Sequence, residues 1–164
     1  MKNVEKINKI LPNNARYISE NAANKILKDK YQQQAVDFLL ETKTTCEIVF
    51  KGLSKTSWSG MREVNRYEVT LKNDKSSYTF EFFDSIKNTE NNKKATFDFY
   101  SVLTCLSLNY SRDFDDFCSE YGYSFKTEKE FIKVKQAYFA VCEQDEALRK
   151  LFNEDELIKL SDIN

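Results

Sequence analysis

The sequence predicts an α+β fold: N-terminal helices, a three-stranded antiparallel sheet, and a C-terminal helical bundle packed on one sheet face. Three observations carry this. Apolar residues recur at helical spacing before residue 43 and after residue 96, and at strand spacing between them. The two periodicities occupy separate blocks of the chain, so helices and strands segregate instead of alternating. One Pro and three Gly in 164 residues leave few breakers, so the elements should be regular.

In order along the chain, Val4, Ile7, Ile10 and Leu11 make a short amphipathic stripe that Pro12 stops. From Ala15 to Leu40 the spacing is again helical, and the polar run Lys28–Gln34 reads either as a break or as an exposed face. Residues 1–43 thus form an N-terminal helical segment with thin apolar stripes, a flanking layer or a separate interaction arm, and residues 44–164 form the α+β domain. In Thr44–Lys51, Cys46, Ile48 and Phe50 alternate with polar or opposite-facing positions. Gly52–Met61 reads as a loop. Tyr67, Val69 and Leu71, then Tyr78, Phe80 and Phe82, line the inner face of two strands joined by a turn at Asn73–Ser76. After a polar loop, Thr96 is the expected cap of a helix through Phe99, Val102, Leu103 and Leu106. Asp113 should cap, and Gly122 stop, a shorter helix bearing Phe114 and Phe117. Thr127 and Glu130 make a capping box for a long helix reaching toward Leu148, and Asn153–Glu156 opens a last one.

Composition excludes several chemistries. The chain has no histidine, so His-dependent triads and imidazole metal sites or acid–base catalysis are ruled out. Neither phosphate-binding glycine motif occurs. Cys46, Cys105, Cys118 and Cys142 are widely separated, and reduced core thiols are the simplest reading. The start, MKNVEKINKILPNN, lacks a signal-peptide apolar run, and no stretch is long enough to span a membrane. The expected location is therefore the cytoplasm, with no membrane association and no cofactor. Charge is uneven: +3 over residues 1–43, +1 over 44–104 and −5 over 105–164.

Few residues invite a functional reading. The acids Asp113, Asp115, Asp116 and Glu120 fit a helix start, where carboxylates complement the dipole. An acid- or metal-dependent enzyme built on Asp113–Glu120 stays as a minor alternative. Trp58, in a Gly/Ser-rich loop flanked by Lys55 and Arg62, has the makeup of a protein-binding hot spot or of a cap on the core. With Lys25 and Lys28 of the basic N-terminal segment, these are the candidate partner-binding residues.

The wording YEVTLKN, SYTFEFFDSI, FYSVLTCLSLNYSRDFDDFCSEYGYS and AVCEQDEALRKLF resembles a group of small, mostly uncharacterised proteins encoded by phages and other mobile elements. The resemblance spans about Arg66–Leu160 and carries no catalytic residues. By analogy, small proteins in that setting often bind and inhibit a host nuclease, as anti-CRISPR proteins do. The resemblance thus implies a non-enzymatic protein whose partner is a host protein or ribonucleoprotein complex such as a Cas effector in the bacterial cytoplasm. A nucleic-acid-binding accessory protein of phage replication or transcription is the alternative.

Overall fold

The computed structural model describes residues 1–15, 17–55, 63–85 and 95–163. Seven helices and three strands are present among them: α1 (Asn3–Ile10), α2 (Glu20–Ile26), α3 (Lys30–Glu41), β1 (Thr45–Lys55), β2 (Glu63–Lys72), β3 (Ser77–Ser85), α4 (Phe99–Thr104), α5 (Phe114–Tyr121), α6 (Glu128–Leu151) and α7 (Glu154–Ser161). The fold is α+β, as the segregated periodicities require.

The sheet is an antiparallel meander in the order β1-β2-β3. Its inner face follows from alternation alone. Tyr67, Val69 and Leu71 of β2 are fully buried. They sit opposite Phe50, Ile48 and Cys46 on one side and Phe82, Phe80 and Tyr78 on the other. The intervening residues form a polar outer face, where Thr70 and Thr79 share a hydrogen bond of 3.0 Å and Arg66 reaches Glu81 at 2.8 Å. The β2–β3 turn is built by Asn73, whose carbonyl side-chain oxygen accepts from the N–H groups of Lys75 (2.9 Å) and Ser76 (3.2 Å). The same side chain donates through Nδ2 to the Leu151 carbonyl at 2.8 Å. One residue thus closes the hairpin and satisfies a carbonyl that the end of α6 leaves orphaned.

Helices cover the inner face as one continuous apolar cluster. Ile7 and Ile10 of α1, Val36 and Leu39 of α3, Phe99, Val102 and Leu103 of α4, Leu148 and Leu151 of α6, and Leu157 and Leu160 of α7 belong to it with the sheet residues. The helices of residues 1–43 therefore bury their apolar stripes in the cluster the sheet uses. Gln32 ties this layer together: its Nε2 donates to Asp98 Oδ1 at 2.7 Å and its Oε1 accepts from Tyr100 N at 3.1 Å, joining α3 to the start of α4.

Cap chemistry sets most boundaries. Ser19, Asp29, Asp98, Asp113, Thr127 and Asn153 each accept from a backbone N–H in the first turn of α2 to α7. Asp29 places the break inside the polar run Lys28–Gln34. The α4 cap is Asp98, not Thr96, because the Asp98 carboxylate reaches Ser101 N at 3.1 Å while also holding Gln32. A second departure concerns Gly52. The expected loop begins instead as strand, since β1 runs on to Lys55 through a register shift between Phe50 and Gly52. Gly52, at φ +107°, supplies the backbone conformation such a bulge needs. Among the described residues, no helix is long and apolar enough to cross a membrane.

At the end of α3, Lys43 occupies the left-handed region at φ +51°. Lys43 N–H bonds Leu40 O at 3.1 Å and Thr44 N–H bonds Leu39 O at 2.9 Å, the double closure of a Schellman motif that ordinarily ends in glycine. Lys43→Gly relieves the left-handed strain, so we expect stabilisation by up to about 1 kcal/mol in urea denaturation. A loss of stability would show that the exposed lysine side chain contributes more than the strain costs.

Candidate protein-binding surface

Within the C-terminal helical region, α4, α6 and α7 contribute to the cluster on the sheet face, and α5 packs on α6. Phe117 of α5 and Val134 of α6 are buried, yet neither belongs to the main apolar cluster. Together with the first half of α6 they form a separate aromatic unit, a helical hairpin standing off the core. At 24 residues α6 is about 36 Å long. Its C-terminal end sits in the main core, and its N-terminal half carries this second unit.

The hairpin arises from simple local rules. Asp113 caps α5 by accepting from Asp116 N at 2.9 Å. Gly122, at φ +70°, ends it, with Tyr123 N–H returning to Cys118 O at 2.9 Å. Thr127 starts α6 by accepting from Glu130 N at 3.2 Å. The Glu130 carboxylate reaches one residue further back than a capping box requires, to Lys126 N at 2.7 Å.

Between the two helices lies a ladder of rings centred on Phe117, which is 1% exposed. Tyr121 packs on it at 4.7 Å, Tyr138 at 5.2 Å, and Tyr123 stacks at 5.5 Å. Phe114 meets Phe131 and Tyr138 edge-on at 5.6 Å each, and Phe125 meets Phe131 at 4.9 Å. Lys135 Nζ lies 4.5 Å from the centre of Phe114 and within 6 Å of the Phe131 and Phe139 rings, a cation held against aromatic faces.

The outer rungs of this ladder meet solvent. Tyr121 is 46% exposed, Tyr123 44%, Phe125 39% and Phe139 58%, with Ile132 beside them. Tyr121, Tyr123 and Phe125 fall within five residues at the hairpin tip. Rigid, half-exposed aromatic side chains supported by a buried ring are the residue types that dominate protein-binding hot spots.

The base of the hairpin is clamped through main-chain bonds to α6. Ser107 N–H donates to Gln144 Oε1 at 2.9 Å and Asn109 N–H to Asp145 Oδ1 at 3.1 Å. Asp145 also pairs with Arg149 at 3.1 Å, which in turn reaches Glu154 at 3.0 Å. The hydrogen bond that Arg149 donates to the Asp145 carboxylate raises the Arg149 pKa further. The acids near α5 are similarly occupied: Asp116 accepts from Arg112 N at 3.1 Å and Glu120 from the Ser111 hydroxyl. These carboxylates serve as caps and clamps, and among the described residues no group of three His, Cys, Asp or Glu converges as a metal-binding set.

The residues singled out from sequence are dispersed. Lys25 lies in the last turn of α2 and Lys28 in the corner before α3, both exposed. Lys55 closes β1, opposite Glu63, in a different part of the fold. Trp58 and Arg62 lie outside the described residues. The aromatic tip has a sequence signal that strand and helix templates pass over. Tyr121, Tyr123 and Phe125 alternate across Gly122, with no neighbouring strand to bury them.

The thiols depart from the core-thiol expectation. Cys46 is buried, whereas Cys118 and Cys142 are half-buried and Cys105 is exposed. Cys105 Sγ donates back to Val102 O at 3.0 Å, and desolvation pushes its pKa up to about 11. No family model matches the chain, and neither curated proteins nor solved structures provide a match.

Two outcomes follow from this geometry. Phe117→Ala should cost the hairpin about 3–5 kcal/mol, read as faster amide exchange over residues 114–134 with Tyr67, Val69 and Leu71 unaffected. Exchange rising equally in β2 would show that hairpin and core unfold as one. Cys105 should alkylate at pH 8 more slowly than an ordinary surface thiol, since a raised pKa lowers its thiolate fraction, with the rate still climbing near pH 10. A plateau by pH 9 would contradict the raised pKa.

Proposed function

We propose that this chain is a non-enzymatic binding protein of the phage accessory type, which docks on a host defence nuclease and inhibits it. The partner in this reading is a CRISPR effector complex in the bacterial cytoplasm. The single observation that supports binding is the aromatic hairpin tip, where Tyr121, Tyr123 and Phe125 are displayed on a support of buried Phe117. The nuclease assignment rests on the resemblance of Arg66–Leu160 to phage and mobile-element proteins, by analogy. The charge balance of the C-terminal third, −5, suits a basic surface such as a nucleic-acid channel.

One observation favours the nucleic-acid-binding alternative. Lys25, Lys28 and Lys30 are exposed around the α2–α3 corner. Lys30 Nζ lies 4.9 Å over the Tyr31 ring, and Tyr31 contacts Tyr100 at 5.1 Å. A small basic patch beside an accessible ring is a minimal stacking site.

Co-purification with Cas effectors followed by a target-cleavage assay tests the first reading. Cleavage should fall at saturating protein. Replacing Tyr121 and Tyr123 together by Ala should weaken binding at least about 30-fold without loss of helicity, the size of a hot-spot effect. Unimpaired cleavage would sink this reading. A salt-dependent gel shift lost in K25E/K28E would establish the alternative in its place.

A further inference from the structure

A second surface, independent of the hairpin, is a stretch of open backbone. Among the described residues, β1 is an edge strand, paired with β2 alone. Among the described residues, no backbone group of Thr45–Lys55 hydrogen-bonds outside that ladder. Half the N–H and C=O groups of such a strand point away from its neighbour, a template for one more strand.

The two halves of this edge differ. From Phe50 onward a bulge shifts the register, and Lys51 and Lys55 add charge, the usual devices that prevent edge pairing. Glu47–Phe50 has regular pairing and exposes Val49 and Phe50. This unguarded half lines a groove of about 820 Å³ together with Leu11, Ala15, Ile18 and Ala22 of the α1–α2 segment and Phe97. Four strand residues span about 13 Å, enough for a short extended segment. A groove of this volume falls in the range of specific ligand sites. Among the described residues that line it, Glu47 is the charged side chain, and it forms no ion pair with any described residue.

We propose that the Glu47–Phe50 edge takes an extended peptide of a partner protein as a fourth strand, its apolar side chains seated against the α1–α2 wall and a Lys or Arg facing Glu47. Open main-chain groups select an extended backbone, the apolar wall selects Val- or Phe-like side chains, and the Glu47 carboxylate selects a basic residue. A helix offers no free main-chain partners to this edge. An acidic peptide would place like charges together.

The test uses the full chain, ¹⁵N-labelled, titrated to millimolar concentration with the peptide acetyl-VKVFV-amide and followed by amide chemical shifts. Shifts should concentrate at Glu47–Phe50 and Ile18–Ala22. The peptide acetyl-VEVFV-amide should bind roughly fivefold more weakly, the scale of one exposed ion pair, and Glu47→Gln should erase that preference. Methylating alternate backbone nitrogens of the basic peptide should weaken it at least about tenfold, because the strand bonds are lost. Equal binding of the methylated peptide, shifts centred elsewhere, or no shifts at all would each overturn the proposal. Concentration-dependent shifts at the same amides without peptide would overturn it in favour of a second copy of the chain.

Discussion

The constraint on which the structure depends is the burial of the β2 inner face. Tyr67, Val69 and Leu71 have no exposure, and each is flanked by an apolar partner on both neighbouring strands. A one-residue slip of β2 would turn all three to solvent, so register is specified strongly. The Tyr67 hydroxyl is buried with no hydrogen-bond partner among the described residues, a cost on the order of 1–3 kcal/mol. The aromatic ring, packed between Phe50 and Phe82 at 5.5 and 6.1 Å, outweighs it. Every helix of the main cluster is positioned by having to cover this face.

Secondary anchors convert that cover into a defined arrangement. Asn73 locks the β-hairpin to the end of α6, Gln32 locks α3 to α4, and Asp145 locks the chain before α5 to the middle of α6. In each case a side chain satisfies backbone groups that helix ends or irregular segments leave open. Of the carboxylates that read as candidate acids from sequence, Asp113 and Asp116 are spent on this task, and Glu120 accepts from the Ser111 hydroxyl. Helix-start acids and paired catalytic acids have the same sequence appearance, and only their hydrogen-bond partners tell them apart.

The two candidate interaction surfaces follow from what the core does not use. Covering one sheet face with α1, α3, α4, α6 and α7 leaves α5 without a place on it, so α5 packs on the outer half of α6 and builds a small aromatic core of its own. A core that small leaves its outer rings in water. A meander of three strands likewise has two edges, and its first edge is guarded along only part of its length.

Much of the fold was legible along the chain. Strand alternation identified the inner face residue by residue, the turn at Asn73–Ser76 fell where expected, and Asp113, Gly122, Thr127 and Asn153 marked helix ends through chemistry confined to neighbouring residues. Where the reading stopped short, the deciding partner was distant in sequence. Asp98 displaced Thr96 as a cap with Gln32 alongside, and Gly52 continued a strand because β2 was there to pair with it. The same limit hid the candidate site. Periodicity states which side chains share a face, and so the sequence by itself determined the helices, the strands and the apolar stripes. Only the tertiary structure decided that the α5 stripe meets α6 and water instead of the sheet, because which surface covers a stripe depends on contacts between segments far apart in the chain.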